Sequence, residues 1–74
     1  MNPGDQNLIQ SAYEDTIKLL YSRLVDGYAA AGGDPSLVQQ ADQRFVTGVG
    51  FARSSRDRAI AMLAEHAVGR QTGS

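Results

Sequence analysis

Apolar residues in the first half of the chain recur at steps of three and four: Ile9, Tyr13, Ile17, Leu20, Leu24 and Tyr28. That spacing lines one side of an α-helix, in which successive residues turn by about 100°. Leu8, Ala12, Leu19, Tyr21 and Val25 widen the stripe on its flanks, so that apolar and aromatic side chains spread over roughly 200° of the circumference. Polar Ser11, Glu14, Asp15, Lys18 and Ser22 occupy the remaining arc. The pattern predicts a helix over residues 6–31, capped by Asp5 or Asn7 behind the helix-disfavouring Pro3 and Gly4. Glu14 and Lys18 stand in the favourable order for an exposed pair, worth about 0.2 to 0.5 kcal/mol.

The segment AAGGDPS then combines every signal for a tight connection. Gly32 or Gly33 suits the left-handed position after a helix, Asp34 suits an N-cap, and Pro35 suits the first helical turn, where its missing N–H costs nothing. A link this short predicts a second helix folded back antiparallel on the first.

Whether that second helix is continuous turns on the stretch RFVTGVGFARSSRDR. Gly48 and Gly50 each cost about 1 kcal/mol relative to alanine in a helix interior. Ser54, followed three residues later by Asp57, has the spacing of an N-terminal cap. A break between Gly48 and Ser54, giving three helices, is therefore one reading. The phase favours the other. Val38, Ala41, Phe45, Gly48, Val49, Ala52, Ala59, Ile60, Leu63 and Ala67 all fall within an arc of roughly 120° if one helix runs from Pro35 to Val68. Gly48 lies on that arc, opposite Ile17 to Tyr21 when positions equidistant from the turn meet, and Gly27 lies on the matching side of the first helix.

These elements predict an all-α chain: one helical-hairpin domain over residues 1–68, with a disordered tail over 69–74 that lacks an apolar anchor. At 74 residues with 42% apolar content, the chain is near the lower limit for a self-sufficient core. It has no cysteine, which removes disulfides and thiolate metal sites. One partner helix covers about half of the apolar circumference of the first helix, so association is the remaining source of stability. The expectation is a homodimer forming a four-helix bundle. Its interface residues are Leu8, Ile9, Tyr13, Ile17, Leu20, Tyr21, Leu24, Val25, Tyr28, Phe45 and Val49, the tyrosines burying their rings while their hydroxyls reach water.

Candidate chemistry is sparse. His66 stands without a second histidine, and Ser54 and Ser55 lack a base or a nucleophile elbow. Gly48-Val49-Gly50 lacks the further glycine and the lysine of a phosphate loop. No catalytic residue, metal or cofactor is expected. Arg44, Arg53, Arg56 and Arg58 could line phosphates, but they scatter around the helix among Asp42 and Asp57. The net charge of −1 offers no broad attraction to polyanions. Arg56 falls on the apolar arc and is expected to reach Glu14, an acid of a second copy, or the rim. The start has neither a basic nor an apolar signal region, and no run approaches the roughly 20 apolar residues of a membrane span. The chain reads as a cytoplasmic, non-enzymatic module that associates with itself and with a further protein; the alternative is a small nucleic-acid-binding regulator using the four arginines.

Overall fold

The computed structural model describes the backbone of residues 3–73 and the side chains of residues 4–66. Two helices, α1 (Pro3–Ala31) and α2 (Pro35–Gly73), form an antiparallel hairpin. α1 begins earlier than the sequence pattern places it: Pro3 opens the helix, where proline needs no N–H partner. Asp5 therefore lies in the first turn rather than at a cap, with its charge favourably placed against the helix dipole. α2 is helical to Gly73, past the Val68 at which the apolar pattern ends. The boundary at residue 68 and the expected tail over 69–74 fall where side chains lie outside the described residues.

The turn is built as its residues predict. Gly32 and Gly33 both have positive φ, 57° and 86°, a conformation that a Cβ would strain. The Asp34 amide donates to the Ala31 carbonyl at 3.0 Å. Asp34 then caps α2: its Oδ1 accepts from the Ser36 amide at 2.9 Å, and its carbonyl accepts the first helical bond, from Val38, at 3.0 Å.

α2 passes through Gly48, Val49 and Gly50 without a break, so the three-helix reading is overturned. The reason is tertiary. A Cβ on Gly48 would lie 2.7 Å from Leu20 Cδ2, and one on Gly27 would lie 3.0 Å from the Ala41 Cβ. These two glycines let the helices approach closely, and that packing outweighs their poor helix propensity. They also set the register: Gly27 faces Ala41, Leu20 faces Gly48, and Tyr13 lies beneath Arg56.

The seam between the helices holds Ile9, Tyr13, Ile17, Leu20 and Leu24 of α1 against Val38, Phe45, Val49, Ala52, Ile60 and Leu63 of α2, all of them half-buried. Ala31 and Ala41 are the buried hydrophobic residues, and no large side chain is fully buried among the described residues. The Cα trace measures 60 × 18 × 10 Å. This is a single layer of helices, whereas a self-sufficient domain packs at least two layers around one core.

Candidate interaction surface

Both broad faces of this layer expose large apolar side chains. On one, by helical phase, α1 presents Leu8, Ala12, Thr16 and Leu19, and α2 presents Leu37, Gly48, Phe51, Ser55 and Met62. A groove of about 500 Å³ runs between the helices there, its walls including Ala12, Thr16, Gly48, Phe51 and Ala59. The Thr16 hydroxyl is turned back onto the Ala12 carbonyl at 3.0 Å, which leaves its methyl group for the groove. Phe51 is 70% exposed and Leu8 likewise 70%. Towards the turn, a second depression shares Leu20, Gly48 and Phe51 with this groove and is flanked by Arg23 and Arg44.

The opposite face carries exposed Tyr21, Val25, Tyr28 and Val46, with Glu14, Arg53 and the acids Asp42 and Asp57 around them by helical phase. Tyr28 donates its hydroxyl to Asp42 Oδ1 and so ties the last turns of α1 to the first turns of α2. This bond to a carboxylate, with burial and the charge of Asp42 acting in the same direction, raises the Tyr28 phenol above its usual pKa. A raised folded-state pKa contributes stability that is present below the unfolded value of about 10 and lost as pH rises through the folded value. Asp42→Asn is therefore expected to let Tyr28 ionise at lower pH than in the wild type. ¹³C-tyrosine NMR titration reads this directly, and an unchanged Tyr28 midpoint would show that the bond does not form in solution.

The expected interface set thus divides in two. Ile9, Tyr13, Ile17, Leu20, Leu24, Phe45 and Val49 belong to the seam within one chain, whereas Leu8, Tyr21, Val25 and Tyr28 remain open to a neighbour. Leu37, Val46, Phe51 and Met62 are exposed as well and were not anticipated. For Leu37 and Phe51 the signal was present on α2: together with Arg44 and Arg58 they recur every seventh residue beside the main apolar arc.

Two expected side-chain pairings differ. Arg56 does not reach Glu14; its guanidinium lies 4.4 Å above the centre of the Tyr13 ring, and its Nε donates to Asp57 at 3.1 Å. Tyr13 occupies the seam at that level, while Glu14, one residue further round the helix, points outward and accepts from Gln10 at 3.2 Å. A guanidinium over an aromatic face with its head at the rim needs no buried anion. Lys18 approaches Asp15 at 3.9 Å, not Glu14; both groups are exposed, and such a pair contributes little.

The four arginines are not gathered. Arg44 and Arg58 lie on the groove side, Arg53 on the other, and Arg56 at the seam. Among the described residues no cluster of His, Cys, Asp or Glu could hold a metal ion, and no helix is long and apolar enough to cross a membrane. His66 is exposed on α2. No protein-family model, curated protein or solved structure matches the chain.

Proposed function

We propose that the chain is a non-enzymatic, cytoplasmic interaction module, a helical hairpin that pairs with a second copy into a four-helix bundle and offers its remaining apolar face to a further protein. One observation carries this reading: a single helical layer in which, among the described residues, no large side chain is fully buried, while Leu8, Leu19, Phe51, Tyr21 and Val46 stand exposed. Burying four such side chains at about 1.5 to 3 kcal/mol each contributes roughly 6 to 12 kcal/mol before entropy losses. That is comparable to the whole stability of a small domain.

Folding and association are then one equilibrium, and stability depends on concentration. Diluting the protein from about 100 μM towards the nanomolar range, with far-UV circular dichroism read beside sedimentation equilibrium, is expected to lose helix in step with the dimer. A compact, fully helical monomer at micromolar concentration would overturn the proposal. Binding to mixed DNA and RNA that falls steeply with salt would favour the arginine-based alternative instead.

A further inference from the structure

The exposed apolar residues of the groove face are arranged symmetrically about its middle. In the register set by Gly27 with Ala41 and Leu20 with Gly48, Leu19 lies level with the midpoint between Gly48 and Phe51. Leu37 lies as far from that level towards the turn as Met62 lies towards the open end. A two-fold axis through this level, in the plane of the contact and across the helices, stacks α1 antiparallel on α1 and α2 antiparallel on α2.

We propose that the second copy sits on this face in that arrangement, with each Phe51 seated over the Gly48 of the other copy. The proposal rests on the self-association reading and adds to it the face, the direction and the register. Each Leu37 meets the Met62 of the second copy, each Leu8 meets Ala30, and the two Leu19 side chains meet across the axis. The groove of about 500 Å³ beside Gly48 is the hollow into which the 70% exposed Phe51 ring fits. Leu20 of the same chain already fills the side of Gly48 to which a Cβ would point, so the ring packs over Leu20 and the Gly48 backbone, as a knob enters a hole in a coiled coil.

Area and charge both favour this occupant. The 29 residues of α1 span about 44 Å at 1.5 Å per residue. With a width of 18 Å, the face covers about 800 Å², the amount each partner contributes to a standard stable interface. The axis brings Arg23 of each copy level with Asp15 of the other, an opposite-charge pair made twice. Arg44 faces Ser55, its stem lying along the groove.

The alternatives fare worse on charge. Placing both turns at the same end stacks Arg23 on the Arg44 of the second copy, twice. Using the opposite face with the same axis sets Asp42 against Asp57 of the second copy, also twice. Like charges across a contact disfavour the wrong arrangement.

Because the chain has no cysteine, single cysteines test the geometry directly by oxidation with copper phenanthroline, since a disulfide forms only where Cβ atoms come within about 3.5 to 4.5 Å. Leu19→Cys is expected to crosslink to itself in near-complete yield, and Tyr21→Cys, on the other face, is not. Leu37→Cys and Met62→Cys are each expected to remain uncrosslinked alone and to form a mixed dimer when combined. Circular dichroism of each reduced variant confirms that it is helical at the concentration used.

Crosslinking of Leu37→Cys to itself would overturn the antiparallel direction, and crosslinking of Tyr21→Cys without Leu19→Cys would overturn the choice of face. In both cases the wild-type chain still sediments as a dimer, so the functional reading survives. A wild-type chain that is monomeric at every concentration removes both.

Discussion

Gly50→Ala is expected to raise the stability of the hairpin and Gly48→Leu to lower it, although only Val49 separates the two glycines in the same helix. Nothing lies within 4 Å of a Cβ built on Gly50, so alanine there gains helix propensity of about 0.5 to 1 kcal/mol without a steric cost. At Gly48 the Cβ alone would come within 2.7 Å of Leu20 Cδ2 and 3.2 Å of Cδ1. A full leucine must displace Leu20 from the seam, which forfeits much of its roughly 1.5 to 3 kcal/mol of burial. It also adds overpacking strain on the order of 1 to 3 kcal/mol. The propensity gain of about 1 kcal/mol does not offset these losses. Urea midpoints compared at one protein concentration measure both effects. A stabilised Gly48→Leu would mean that the helices do not approach at Leu20 and that the register is wrong.

That contrast also explains what was legible in the sequence. Local propensity scores Gly48 and Gly50 alike, and on that criterion the stretch looks like a break. The apolar phase, which runs unchanged from Val38 to Leu63, distinguishes a helix interrupted by a loop from one that uses a glycine to admit Leu20. The turn was legible because Gly33, Asp34 and Pro35 each have a backbone role that few other residues fill. Side-chain partners were less so. Glu14, Asp15 and Tyr13 lie within one turn of each other, and a rotation of about 100° per residue decides which faces Arg56 and which faces water. Charge pairing suggested Glu14; the ring of Tyr13 was already in the seam. The second stripe on α2 is obscured in the sequence for a related reason. Leu37, Phe51 and Met62 are interleaved with Arg44 and Arg58, and an arginine in a repeat hides an apolar face that its own stem helps to line.

Leu19→Glu is expected to weaken self-association by at least about 100-fold, from the loss of two leucines at roughly 1.5 to 3 kcal/mol each. The two introduced carboxylates would also face one another across the proposed axis, which adds repulsion. In a single hairpin Leu19 is already 51% exposed, and a surface replacement at such a position changes stability by no more than about 0.5 kcal/mol. The two situations therefore predict different results from one variant. If the hairpin is complete alone, Leu19→Glu keeps its helix content at every concentration. If the second layer comes from another copy, the variant loses helix at concentrations where the wild type is fully folded, because the isolated layer has too little buried surface to hold its shape. Tyr21→Glu is the matched control: Tyr21 is also exposed, at 60%, but on the face turned away from the proposed dimer, so its replacement should leave the dimer dissociation constant within a few-fold of the wild type. Equal loss from both variants would indicate a symmetric assembly that uses both faces, and would replace the two-copy bundle with a larger one.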